Sequence, residues 1–165
     1  MEINQAISKA PLALHKGSVS ISWVDYNNHM QDAYYLVAFG DGLDAFFHHI
    51  GNDETYRAAG LTFFTAETHL NYFKEMKVGE TFAVETQLVG FDEKRLHLFH
   101  RMLHGETREL VATNEIMQLH VDQKIGKVVA MGVNILETLS GIWDVHKHLE
   151  VPPQLGRVMS VRKAA

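Results

Sequence analysis

The chain has 165 residues, is 46% hydrophobic and 21% charged, and carries a formal net charge of -5 with a pI near 6.1. That length suits one domain with its own core, and the acidic balance excludes a nucleic-acid binder working through a basic face, while a small polyanion held by a few local Lys or Arg residues stays open. With no cysteine in the chain, disulfides, thiolate metal sites and a cysteine nucleophile are out, and any catalysis falls to carboxylates, histidines or hydroxyls.

At the N-terminus, MEINQAISKAPLAL lacks a charged-then-apolar signal pattern, and no apolar run approaches the length of a membrane span, so a cytoplasmic protein without membrane association is expected. Residues 17–24, GSVSISWV, alternate and are rich in β-branched side chains, which predicts a strand. VDYNNHMQD follows at once. From Ala33 onward Leu36, Phe39, Leu43, Phe47 and Ile50 recur at steps of three and four, predicting a long helix with Asp41, Asp44 and His48 on its other face. Gly40 and Gly42 cost that helix about 1 kcal/mol each relative to Ala, so they predict close approach of another backbone. Four strands are expected next, over 61–73, 81–91, 95–105 and 109–121. In the first of these Phe64, Ala66, Thr68, Leu70 and Tyr72 share one face, and Glu67, His69 and Asn71 the other. DQKIGK turns into a last strand, KVVAMG, and Ile135, Leu139, Ile142, Trp143 and His146 line one side of a C-terminal helix over 135–147. The order predicts an α+β domain over 1–150, with helices on one face of an antiparallel sheet, and a C-terminal tail over 151–165.

The polar crowd between Asp25 and Asp32 exceeds what a helix start requires, since capping needs a single short acceptor. A helix N-terminus offers unpaired N–H groups and the positive end of the dipole, which suit a developing oxyanion. A carboxylate in the loop just before it can act there as base or nucleophile. His97, His100, His104 and His120 fall on neighbouring strands, but no carboxylate or cysteine stands beside them at a ligand spacing, so neither a metal nor another cofactor is expected.

Strand, then Asp25-x-Asn27-x-His29, then a long apolar-faced helix resembles the hotdog-fold acyl-CoA thioesterases of the 4-hydroxybenzoyl-CoA thioesterase-like group. The likeness implies a hotdog fold, a long central helix wrapped by an antiparallel β-sheet of about five to six strands, with acyl-CoA sites formed between paired subunits. It places the catalytic carboxylate on Asp25, with Asn27 and His29 beside it. Where many bacterial members carry a further histidine, Asp32 stands here. AYYLVAF, AETHLNYFKEMKVGE and above all GFDEKRLHLFH are similar to the betainyl-CoA thioesterases of carnitine breakdown. That resemblance implies hydrolysis of a short acyl-CoA, betainyl-CoA, to glycine betaine and CoA. The alternatives are another aromatic or aliphatic acyl-CoA, a hotdog hydratase, or a non-catalytic acyl-CoA-binding domain. A trimethylammonium group is held by aromatic faces and carboxylates, which nominates Trp23, Tyr26, Tyr35, Phe64, Glu67 and Tyr72 for the acyl group. Lys74 and Arg95 are nominated for the CoA phosphates by charge. A homodimer is expected, with a homotetramer as the next assembly, because a single sheet leaves its edges open.

Overall fold

Every long apolar helix needs a surface to cover, and here the strands curl into one. The computed structural model describes residues 11–161. In chain order these form β1 (Leu12–Ser18), a 3-10 turn (Ile21–Trp23), α1 (Asp32–His49), α2 (Glu54–Ala58), β2 (Leu61–Tyr72), β3 (Thr81–Phe91), β4 (Arg95–His104), β5 (Leu110–Asp122), β6 (Lys127–Val128) and α3 (Val133–His146). The strands pair antiparallel in the order β1-β3-β4-β5-β2, and β6 joins the end of β5. This is the expected α+β sheet around a long helix. Among the described residues no helix is long and apolar enough to cross a membrane.

The buried stripe of α1 comprises Tyr35, Ala38, Phe39, Gly42, Leu43, Phe46 and Phe47. It is rotated from the expected one, for Leu36 remains 41% exposed while Tyr35 and Phe46 turn inward. Gly42 explains the rotation: a Cβ there would lie 2.7 Å from Val84 Cγ1 on β3, so the helix is seated against a sheet side chain at its own glycine. Gly40 serves no such approach, since its missing Cβ would meet nothing within 4 Å. The tip-side half of the core gathers Tyr35, Phe39, Met76, Phe82, Met102 and Ala112. In the other half, Phe46, Phe47 and Ile50 meet Leu96, Leu98 and Ile116 and the α3 residues Ile135, Leu139 and Ile142, as that helix's periodicity predicted.

Other expectations shift for local reasons. The first strand covers residues 12–18 and not 17–24, because Ser20 Oγ accepts the Ser22 N–H at 3.3 Å and caps a 3-10 turn where the strand was expected to continue. On β2 the register breaks between Thr65 and Glu67, and the bulge reverses the faces on its two sides. Phe63 therefore turns inward and stacks on Phe47 at 4.9 Å, while Phe64 is 52% exposed on the side away from α1. KVVAMG pairs as a strand only through Lys127 and Val128. The short α2 was not foreseen; Asp53 Oδ1 caps it by accepting the Tyr56 N–H at 2.9 Å. The start of the tail is docked: Pro152 is buried, and Gly156 N–H donates to Glu115 Oε2 at 2.7 Å. Residues 1–10 of the expected domain and 162–165 of the expected tail lie outside the described residues.

A polar belt crosses the helix-facing side of the sheet. Thr86, His100 and Asn114 are register neighbours on β3, β4 and β5, and Thr68 on β2 donates to Asn114 Oδ1 at 2.6 Å. His100 shares a 2.9 Å hydrogen bond with Thr86 Oγ1, and burial pushes its pKa down to about 4. His146 of α3 is likewise buried, accepts the Leu88 N–H at 2.8 Å where β3 has outrun β1, and is pushed down to about 4.

Two outcomes follow from these contacts. Gly42→Ala gains about 1 kcal/mol of helix propensity but must displace the stiff Val84 side chain, so a net loss of about 1–3 kcal/mol in urea unfolding is expected, with Val84→Ala in the same background restoring part of it. The buried histidines titrate near 6.5 when unfolded and near 4 when folded, so the unfolded state binds the extra protons between those values. Their contribution to stability is complete above pH 6.5 and is lost as pH falls toward 4, at up to about 1.4 kcal/mol per pH unit for each. Urea titrations at about pH 7 and about pH 5.5 should show that decline, and His146→Asn, which keeps an acceptor for Leu88 N–H, should remove about half of it, leaving the share of His100.

Candidate active site

The residues Asp25 to His29 form a tight turn held by their own backbone. Val24 bridges Met30, Asp25 N–H donates to the His29 carbonyl at 2.9 Å, and Asn28 N–H donates to the Asp25 carbonyl at 3.0 Å. Asn28 has φ 62, a left-handed conformation that asparagine tolerates better than most residues. The Asp25 carboxylate takes part through Oδ1, which accepts Asn27 N–H at 2.8 Å and His29 N–H at 3.3 Å. Part of the polar crowd is thus turn chemistry. Asp25 itself is half-buried, and its second oxygen is not needed by the turn.

Next to this turn lies the start of α1. His29 bridges Lys77, Met30 N–H donates to the Met76 carbonyl at 2.7 Å, and His29 Nδ1 lies 3.3 Å from Glu75 Oε2. The segment after β2 therefore runs alongside the turn. At the helix start Tyr34 N–H turns back to the Gln31 carbonyl at 3.0 Å, and Ala33 N–H donates to Asp32 Oδ1 at 2.9 Å. Of the first two helical amides, Asp32 N–H is the one these contacts leave for a ligand.

A cleft of about 350 Å³ opens beside the helix start, lined by Met30, Asp32, Tyr35, Tyr72, Phe73, Lys74 and Glu75. Tyr35 and Tyr72 meet edge to face, with centroids 5.3 Å apart and planes at 84°. Tyr35 OH donates to the Lys74 carbonyl and Tyr72 OH to the Asp32 carbonyl, both at 3.3 Å. Burial raises both hydroxyl pKa values, and the negative charges of Asp32 on Tyr72 and of Glu75 on Tyr35 raise them further. Lys74 is paired with Glu109.

The structure divides the nominated residues. Asp25 and His29 stand at the turn, and Asn27 supplies it with an N–H; Tyr35, Tyr72 and Lys74 line the cleft. Trp23 belongs to a separate stack, 5.6 Å from Tyr34 and 6.5 Å from Phe82. Tyr26 is 96% exposed at the tip of the turn. Phe64 and Glu67 point away from α1, and Glu67 contacts His69 at 2.8 Å. Arg95 is at the opposite end of β4, where its Nε donates to Asp92 Oδ2 at 2.8 Å. Asp32, Phe73 and Glu75 were not foreseen as lining residues. The one hint in the sequence is YFKE, where an aromatic pair runs straight into alternating charges as the strand ends. The histidines are taken singly: His97 by Glu115 at 2.8 Å, and His120 by Tyr56 OH at 2.8 Å and the Val129 carbonyl at 2.9 Å. Among the described residues no group of three or more His, Cys, Asp or Glu side chains is arranged for a metal ion.

The chain is similar to known proteins. Residues 19–155 match the thioesterase-like superfamily. A protein of Agrobacterium fabrum named L-carnitine dehydrogenase/betainyl-CoA thioesterase is 48% identical over 129 residues, 78% of this chain, and the match spans 26% of that longer protein. The betainyl-CoA thioesterase of Pseudomonas aeruginosa is 37% identical over 151 residues, covering 91% of this chain and 95% of that one. Among solved structures, a Staphylococcus aureus protein in complex with CoA superposes with a TM-score of 0.83 at 29% identity, covering 90% of this chain and 94% of that one.

Proposed function

Because the chain belongs to the thioesterase-like superfamily, we propose that it hydrolyses the thioester of betainyl-CoA, releasing glycine betaine and free CoA. The observation that carries this reading is the likeness to the Pseudomonas aeruginosa betainyl-CoA thioesterase, which runs through nearly the whole of both chains. The geometry supports the same chemistry. Asp25 supplies a carboxylate oxygen, either attacking the thioester carbon or taking the proton of an attacking water, and the thiol of CoA leaves. The Asp32 N–H, at the positive end of α1, faces the oxygen on which charge develops. His29 orients the reacting groups from the same turn, held by Glu75, and Asn27 fixes the carboxylate through its N–H. Lys74, nominated for the CoA phosphates, is at the cleft but already paired with Glu109. Arg95, held by Asp92 at the far end of the sheet, takes no part within one subunit.

The reading includes a cytoplasmic homodimer. β2 is a twelve-residue strand with β5 on one side and no neighbour on the other among the described residues, an edge that proteins seldom leave open. Light scattering at micromolar protein should give at least twice the 18.7 kDa chain mass. A monomer throughout that range would remove any shared site.

Asp25→Asn tests the catalytic assignment cleanly, since the amide oxygen still accepts from Asn27 and His29 and the turn survives. Thiol release from betainyl-CoA is expected to fall by at least about a hundredfold, the scale of a lost general base, with the urea midpoint unchanged. Near-normal turnover would move the chemistry away from this turn.

A further inference from the structure

We propose that the cationic head of the acyl group is selected in the cleft at the start of α1, by the rings of Tyr72 and Phe73 together with the carboxylates of Asp32 and Glu75, and not by Glu67. This rests on the betainyl-CoA reading and names the specificity-determining residues within it. A quaternary ammonium cannot donate a hydrogen bond, so it is recognised by aromatic faces and by uncompensated negative charge. Both are present here.

The two tyrosine hydroxyls are turned onto backbone carbonyls, which leaves ring surface as what they show to the cleft. Tyr72 and Phe73 are 48% and 43% exposed, so that surface is accessible. The cleft carries two carboxylates against one cation, and that cation, Lys74, is already paired with Glu109. Asp32 and Glu75 also raise the tyrosine pKa values, so their negative field reaches the rings that would meet the ligand. Glu75 touches His29 with one oxygen and keeps its second, and Asp32 spends one oxygen on Ala33 N–H.

Glu67 offers none of this. It lies on the side of β2 away from α1, bonded to His69, and five residues before Tyr72, roughly 16 Å along an extended strand.

Two measurements test the assignment separately from turnover. Tetramethylammonium chloride, titrated while ring resonances are followed, should shift Tyr72 and Phe73 in the wild-type protein, and tert-butanol, of similar shape without charge, should not. Glu75→Gln and Asp32→Asn should each weaken that response by about threefold to tenfold, the scale of one partly screened charge at a few ångströms, whereas Glu67→Gln should leave it unchanged. In hydrolysis, the wild-type preference in kcat/KM for betainyl-CoA over neutral tert-butylacetyl-CoA should be at least about thirtyfold. In the Glu75 and Asp32 variants it should shrink because the charged substrate loses more than the neutral one, beyond any shared loss through His29 or the helix start. Binding and preference that survive both substitutions, or that vanish with Glu67→Gln, overturn the assignment. So does an equal loss on both substrates, which would mark the two carboxylates as catalytic or structural. If betainyl-CoA is not hydrolysed while tetramethylammonium still binds in a carboxylate-dependent way, the substrate reading fails and the cation site stands. If hydrolysis of betainyl-CoA ignores both carboxylates, the reverse holds.

Discussion

The seating of α1 on the sheet at Gly42 governs the remainder of the molecule. With no Cβ at that position the helix axis can descend until Val84 fills the gap, and its rotation is then fixed by which neighbours face inward. Tyr35, two turns earlier, is thereby buried with its hydroxyl on the Lys74 carbonyl, and Tyr72 is drawn against it edge to face. A deeper or shallower helix would separate its N-terminal amides from both the Asp25 turn and the chain leaving β2. The cleft exists because three segments, 30–32, 35 and 72–75, converge at one helix end.

Charge in that corner is arranged with some tension. A helix N-terminus favours an anion, and Asp32 partly satisfies it through Ala33 N–H, in competition with any oxyanion that forms nearby. The competition is moderated by direction, since Asp32 uses its own neighbour's amide and leaves the amide of its own residue. Asp25 uses the same economy. One oxygen stabilises the turn and the other is not needed by it, which is what the proposed role of Asp25 in thioester hydrolysis draws on. A cationic acyl group would relieve the crowding of Asp32 and Glu75 around a single cleft, where a neutral one would leave it.

How much of this was legible depended on whether a signal was local. β3, β4 and β5 were readable to within a residue because each is a run of strand-forming residues closed off by turn residues, and the register shifts at Leu88/Gly90 and Met102/Leu103 do not move their ends. β1 was not, because the serines at 18, 20 and 22 alternate like strand residues, yet Ser20 Oγ accepts Ser22 N–H and turns the chain out of the strand. The bulge on β2 leaves no mark in composition, so Phe64 was assigned to the wrong face, and the five residues of α2 are too few for a helical period to register. The Asp25 turn was visible as a cluster. Glu75 and Phe73 were not, since they become lining residues only when both Phe73 and Lys74 N–H groups turn onto the Val111 carbonyl and carry the chain over the helix end.

The placement of Glu67 shows why assembly does not undo this division. A two-fold pairing of β2 with its copy would extend the sheet edge to edge, and strand pairing of that kind keeps the helix side of one sheet continuous with the helix side of the other. Phe64 and Glu67 would remain on the outer face after pairing, among His69, His97 and Glu115, while Tyr72 would remain on the inner one. Moving Glu67 to the cleft face requires loss of the bulge and a one-residue slip of the 67–72 half, which would also turn Tyr72 outward and break its tether to α1. The bulge at Ala66 sets the two halves of β2 in their present faces, and burial of Phe63 at one end with the tether of Tyr72 to α1 at the other holds them there.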